Sequence, residues 1–342
     1  MPEWGRFPFA WELSFPRALD PAHAGTAPGT RGSQLKIILA SPRGFCAGVD
    51  RAIEIVERAL SRSSEPVYVR HEIVHNRHVV EGLRKKGAIF IERPEEAPEG
   101  TELIYSAHGV SPAIREAAAG QELRTIDATC PLVTKVHNEV QRMSREGLEI
   151  IMIGHAGHVE VEGTMGQAPG RMHLVQKVEE VADLHIEDPT RLGCVTQTTL
   201  SVDDTREIMQ ALRERFPEIV LPKRDDICYA TQNRQDAVKQ LAEITQLVLV
   251  VGAPESSNSN RLVEVAQRMS VSSYLITSAK DIEADWLEGV ESVGVTAGAS
   301  TPEFLVDQVI DRLIELSGEA EVASLPEVDE GMRFKLPAEL RH

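Results

Sequence analysis

Aromatic residues are scarce in this sequence, at 4% of 342 positions, so its core must be built mainly from Val, Ile, Leu and Ala. No stretch is long and apolar enough to span a bilayer. Cations are outnumbered, with 36 Lys and Arg against 53 Asp and Glu and a formal net charge of -17. Such a balance argues against broad nucleic-acid binding, because phosphate backbones need clustered Lys and Arg. It leaves room for a small anion held by local donors, and an acidic redox partner would need a local basic patch. Cysteine is limited to four residues with no C-x-x-C run. The N-terminus has no basic region ahead of an apolar run, so no secretory signal is expected and a cytoplasmic location is. Disulfides are rare there, leaving metal binding, catalysis or burial for the cysteines.

What is present has a globular balance, 42% hydrophobic and 26% charged. Residues 1–34 are rich in Pro and Gly and carry Trp4, Phe7, Phe9, Trp11 and Phe15. They read as an irregular extension whose aromatics dock on the body. From Leu35, short apolar runs such as Lys36–Ala40, Glu149–Ile153 and Leu247–Val251 alternate with amphipathic stretches such as Val49–Ser61, Leu132–Arg145 and Gln232–Glu243. Strands alternating with helices predict parallel α/β sheets. The Pro- and Glu-rich tail after Leu316 reads as irregular.

Three segments share one grammar: an apolar or turn-like run, a single cysteine, then an amphipathic helix. The cysteines are Cys46, Cys130 and Cys228, spaced about one small α/β unit apart. We read three similar units around a shared centre, each presenting a cysteine at a helix N-terminus, where the dipole favours the thiolate. Three thiolates at one point repel unless a cation joins them. A 4Fe–4S cubane usually has four thiolates, and three leave one iron open to substrate. A Cys-three zinc site and plain burial are the alternatives at this point. Cys194 lies in an apolar run and is assigned to the core.

Polar residues gather at strand–helix junctions. His75, His108 and His158 follow apolar runs and offer donors to an anion. Glu160 reads as a helix-start acid or, beside a bound diphosphate, as a carboxyl of raised pKa that can give up a proton. Ser256, Ser257 and Asn258 open a helix and suggest an anion cradle. Ser300 and Glu303 read as a capping box with Pro302 in the first turn, and Ser201 with Asp204 as a second cap. Thr198 lies at another junction. All these groups fall where ligands bind in open α/β sheets, beyond the strands' carboxyl ends.

At these residues the chain resembles the 4-hydroxy-3-methylbut-2-enyl diphosphate reductases of the methylerythritol phosphate route to isoprenoids. The motifs that carry the resemblance are Pro42–Val49, His71–Asn76, Ser106–Val110, Asp127–Pro131, Glu160–Thr164, Thr196–Ser201, Ser256–Arg261 and Gly298–Pro302, in order between Leu35 and Leu316. The resemblance implies a trefoil of three α/β domains, spanning 35–130, 131–227 and 228–316, with a tail at 317–342. It implies a 4Fe–4S cluster held by Cys46, Cys130 and Cys228. The implied substrate pocket is His75, His108, His158, Thr198, Ser256, Ser257, Asn258 and Ser300. Glu160, with Thr198 and His158, is the implied proton-donating group.

The implied reaction is a two-electron, two-proton dehydroxylation to isopentenyl and dimethylallyl diphosphate, fed by ferredoxin or flavodoxin. The pattern is departed from at Val159, where proline is common, and in the Ala253–Pro254–Glu255 lead to the cradle. A cluster-dependent hydro-lyase and a non-catalytic metal-binding protein, either a zinc fold or a cluster carrier, are the competing classes.

Overall fold

The structure, a computed structural model, describes residues 34–222 and 226–341. The expected docking of the N-terminal aromatics lies outside the described residues. The chain opens with strand β1 (Leu35–Leu39) and helix α1 (Ala47–Arg62). A first lobe follows: β2 (Val67–Arg70), α2 (Arg77–Lys85), β3 (Ala88–Ile91), β4 (Glu102–Tyr105), α3 (Pro112–Gly120) and β5 (Arg124–Asp127). Its sheet is parallel, in the order β3-β2-β4-β5.

The second lobe contains α4 (Pro131–Arg145), β6 (Glu149–Ile153), α5 (Val159–Met165), β7 (Met172–Val175), β8 (Leu192–Thr196) and α6 (Val202–Arg215). Its parallel sheet runs β7-β6-β8, and Val220 extends it by a bridge to Gly193. The third lobe contains α7 (Tyr229–Ile244), β9 (Leu247–Val251), α8 (Ser257–Arg268), β10 (Ser272–Ile276), β11 (Ser292–Ala297), α9 (Glu303–Ser317) and β12 (Ala320–Ser324). Its sheet runs β10-β9-β11-β1-β12, again parallel. The architecture is thus a three-lobed α/β trefoil. Strands β8 and β9 are buried along their whole length, as expected where helices cover both faces of a parallel sheet.

Two expectations are corrected. The leading strand, counted with the first unit in the sequence, belongs to the third sheet. Leu35, Ile37 and Leu39 point one way along β1 and pack with Val293, Val295 and Leu249. The tail is not irregular throughout. It adds β12 as an edge strand, mostly solvent-exposed and joined to β1 by backbone pairing, so it carries no apolar alternation to read. Farther on, Leu340 inserts into the first lobe's core, a burial worth roughly 2 kcal/mol.

The chain changes lobes at each of the three predicted cysteines. Helix α1 follows β1 of the third sheet, yet Val49, Ala52, Ile55, Val56 and Ala59 pack on the first lobe. The i, i+3, i+4 spacing of these residues makes the apolar stripe that holds it there. Helix α4 follows β5 of the first sheet but packs Val136, Val140 and Met143 on the second lobe. Helix α7 follows the Val220 bridge of the second sheet but packs Ala237, Val238 and Leu241 on the third. Three crossovers of one kind bring the cysteines to the centre.

Candidate functional site

Each crossover places a cysteine at the N-cap of the helix that follows it: Cys46 before α1, Cys130 before α4 and Cys228 before α7. Each cysteine N–H donates to a loop beyond a neighbouring strand, Cys46 to Ala299 O at 3.2 Å, Cys130 to Ala107 O at 2.9 Å and Cys228 to Thr198 O at 3.0 Å. All three line one cavity of 110 Å³, far above the ~10–15 Å³ that a single water needs. A Cβ built on Gly48 would lie 2.8 Å from Cys130 Sγ and 3.8 Å from Cys46 Sγ, so glycine there is what lets the two sulfurs approach. Cys194 is fully buried in the second lobe's core, away from them.

The helix N-termini do not leave these thiols acidic. Burial pushes the Cys130 thiol up to about 12, with the neighbouring Cys46 adding to the effect. Burial likewise raises Cys228 to about 11 and raises Cys46, with Arg234 opposing the latter. The expectation that the dipole alone favours thiolate is therefore corrected: desolvation wins. A trio of half-buried cysteines whose sulfurs disfavour one another's charge is suited to a cationic group that all three share.

Much of the rest of the cavity wall comes from loops and first helical turns beyond the carboxyl ends of the strands. His75 follows β2, His108 follows β4, His158 and Glu160 follow β6, and Thr198 follows β8. Ser256, Ser257 and Asn258 follow β9, and Ser300 follows β11. Every residue predicted for the site thus reaches this one cavity. The His75 ring centroid lies 4.2 Å from that of His108 and 5.4 Å from that of His158. Burial first, then His75 and the other imidazoles, push His158 down to about 3 and hold His108 well below its ordinary value. The His108 and His158 rings are therefore neutral until an anion arrives.

Glu160 is 3% exposed. It accepts hydrogen bonds from Thr198 N–H at 2.6 Å and Thr198 Oγ1 at 2.9 Å. Burial raises its carboxyl to about 7 against the pull of those bonds, and the like charge of Asp226 adds to the rise. The raised pKa was expected, but its main cause is desolvation. Ser256 caps α8 by accepting from Ser259 N–H at 3.3 Å. Both side-chain amide atoms of Asn258, and Nε2 of His75, are buried with no hydrogen-bond partner among the described residues. Buried polar groups are nearly always paired, so these atoms point to a polar ligand. Ser201 caps α6 through Asp204 N–H, as read from sequence. The Ser300 capping box is absent: Pro302 holds the N-cap of α9, and Ser300 Oγ donates to His75 O at 2.9 Å, tying two pocket loops together.

The sequence profile of the LytB protein family matches residues 37–314. The chain belongs to this family. Among curated LytB relatives, the 4-hydroxy-3-methylbut-2-enyl diphosphate reductase of Pectobacterium carotovorum is 59% identical over 310 residues, covering 90% of this chain and 98% of the relative. The reductase of the same name from Bordetella pertussis is 61% identical over 302 residues, covering 88% and 93%. Among solved structures, the E-1-hydroxy-2-methyl-but-2-enyl-4-diphosphate reductase of Plasmodium falciparum superposes with a TM-score of 0.85 at 42% identity, covering 90% of this chain and 97% of that one. A second, described as the terminal enzyme of the non-mevalonate pathway, gives 0.58 at 33% identity, covering 82% and 99%. This LytB chain therefore has an oxidoreductase's relatives along nearly its whole length.

One site neighbour was given no role from sequence. His71 stands 5.9 Å from His75 and 6.1 Å from His108 between ring centroids, with a φ of 58 that is uncommon outside glycine. Its place next to Glu72 in a motif already singled out was the available signal.

Proposed function

We propose that the cavity reductively removes the allylic hydroxyl of (E)-4-hydroxy-3-methylbut-2-enyl diphosphate, giving isopentenyl and dimethylallyl diphosphate. The observation that carries the reading is a single cavity lined by three half-buried cysteines together with His and Asn groups that have no hydrogen-bond partner among the described residues. Relatives that match 88–90% of the chain bear that reductase's name. The donor set fits a 4Fe–4S cluster: three sulfurs from three lobes, a glycine that leaves them room, and no fourth cysteine within reach. When bound, the cluster would supply the electrons and an iron without a protein sulfur to polarise the hydroxyl.

The chain's own residues do the rest. Ser256, Ser257 and Asn258, at the start of α8, hold the diphosphate together with His75, His108 and His158. An imidazole near a diphosphate gains charge, so His108 and His158 act as donors and then as cations. Ser300 keeps the His75 loop in place. The buried walls exclude water and fix the hydroxyl's direction. Glu160, half protonated near pH 7, delivers one proton to the oxygen that departs as water, Thr198 orients the carboxyl through two hydrogen bonds, and the second proton, to carbon, comes from the substrate's own diphosphate. Glu255 faces solvent and stays outside the cradle. Electrons come from a small ferredoxin- or flavodoxin-type carrier in the cytoplasm; among the described residues no helix is long and apolar enough to cross a membrane.

The test is an anaerobic assay of the purified protein on the hydroxylated diphosphate, with and without a low-potential reductant. Dehydroxylated diphosphates should form only with reductant. Conversion without reductant would mean a hydro-lyase, and failure to bind the diphosphate would mean a carrier.

A further inference from the structure

We infer that Arg51, Lys135 and Arg234 form a closed ring that positions the three cysteine loops, each cation rising from the helix that one cysteine starts and gripping the segment that leads into the next. The inference rests on the cluster reading above. Arg51 stands five residues after Cys46 on α1, and its Nη1 donates to Ala128 O at 3.3 Å and Thr129 O at 3.0 Å, just ahead of Cys130. Lys135 stands five residues after Cys130 on α4, and its Nζ lies 3.1 Å from Oδ1 of Asp226, two residues ahead of Cys228. Arg234 stands six residues after Cys228 on α7, and its Nη2 donates to Gly44 O at 2.7 Å and Phe45 O at 3.1 Å, just ahead of Cys46. The ring thus closes on itself in the order of the lobes.

The contacts fix particular peptide planes. The carbonyl of Phe45 is held by Arg234, while the N–H of the same peptide, on Cys46, is held by Ala299 O. The carbonyl of Thr129 is held by Arg51, and the N–H of Cys130 by Ala107 O. At the third cysteine, Gln232 Nε2 holds the Ile227 carbonyl at 2.6 Å, and Cys228 N–H is held by Thr198 O. Asp226 is anchored from two sides, by Lys135 and by Thr196 N–H at 3.2 Å. A peptide held at both ends resists rotation, so the backbone from which each sulfur projects is set before any metal arrives.

The C-terminal segment completes the ring. Arg234 is wholly buried, and Glu330 supplies its carboxylate at 3.0 Å. A buried guanidinium without such a partner would be strongly destabilising. Lys335 O accepts from Arg51 Nε at 2.9 Å. The segment after β12 therefore braces two of the three cations. Arg51 lies close enough to Cys130, and Arg234 to Cys46, for their charges to bear on those sulfurs, so in a chain of net charge -17 these two also favour an added electron on whatever the sulfurs hold.

The test uses Arg51 and Lys135, which are partly exposed and whose variants should fold. Arg51→Gln, Arg51→Lys and Lys135→Gln are compared with the unaltered protein after anaerobic cluster loading. Three quantities are read: the rate of iron loss to a chelator, the reduction midpoint followed by electron paramagnetic resonance, and hydrogen exchange of the apoprotein at residues 128–130 and 226–228. Arg51→Gln should lose iron about fivefold faster, the effect of roughly one missing hydrogen bond. It should also shift the midpoint to a more negative potential and speed exchange at Cys130. Lys135→Gln should also lose iron faster, with exchange speeded at Cys228. Arg51→Lys should restore the midpoint but not the slow iron loss, because the charge returns without the fork.

Unchanged iron loss, midpoint and exchange in both Gln variants would overturn the ring. An unaltered protein that takes up no iron and sulfide would sink the cluster reading instead. The apoprotein exchange then still decides the ring.

Discussion

Replacing Glu160 with Gln removes a titrating proton while keeping the shape of the pocket. The carboxyl's value rises from 4.5 to about 7, chiefly through burial. At about 1.4 kcal/mol per unit, that rise is on the order of 3 kcal/mol disfavouring the ionised folded form. The folded value lies above the unfolded one, so the folded state holds the proton longer. Stability from this group is greatest below about pH 4.5 and is lost as pH rises towards 7. Gln carries no charge to desolvate, and Thr198 can still donate its N–H to the amide oxygen while its hydroxyl turns to accept from the amide nitrogen. Glu160→Gln should therefore match or exceed the parent apoprotein's stability at pH 8 in urea unfolding. Its turnover should fall by about 10²–10⁴, the usual worth of a positioned general acid. The parent's kcat/KM should decline above about pH 7 as the acid is lost, and the variant's small residual rate should lack that decline. Its cluster absorbance should be unchanged. A variant within about threefold of parental turnover and with the same alkaline decline would refute the role given to Glu160.

Cys46→Ser, Cys130→Ser and Cys228→Ser should each lose iron on anaerobic purification, whereas Cys194→Ser should keep it and lose only about 1–3 kcal/mol of stability for a hydroxyl placed in an apolar core; equal iron loss from Cys194→Ser would mean the wrong trio. Gly48→Ala should fold with normal far-ultraviolet circular dichroism but load poorly, since the new methyl would sit 2.8 Å from Cys130 Sγ; full iron content would show that the sulfurs have more room than described. Diphosphate binding should take up protons at pH 6, because His158 starts at about 3 and is raised by the anion, and affinity should fall as pH increases. Calorimetry in two buffers of different ionisation enthalpy measures the uptake, and His158→Gln should reduce it.

Much of the site was legible because its residues stand at junctions that the alternation of strands and helices marks clearly. The cysteine repeat, the Ser256–Asn258 turn and the histidines all fall on loops after strands, where the topology gathers them. Less legible were features set by tertiary packing. The membership of β1 in the third sheet depends on which core its apolar face meets, and local sequence does not say. The edge strand β12 is joined through its backbone and so lacks an apolar pattern. Ser300 has the grammar of a cap, yet its hydroxyl is taken by His75 O, a partner far away in sequence. The thiols look acidic when only the helix dipole is counted, and burial reverses that. The cations after each cysteine could have been found by aligning the three repeats, where Arg51, Lys135 and Arg234 fall at nearly the same offset.

The most direct test is an anaerobic crystal structure of the iron-loaded protein with the hydroxylated diphosphate, using anomalous scattering to locate iron. The account predicts one cluster bonded to Cys46, Cys130 and Cys228, with its unligated iron facing the substrate and the diphosphate against Ser256, Ser257 and Asn258. Iron found elsewhere, such as beside His71, Glu72 and His75, or a cluster with a fourth protein ligand, would contradict it.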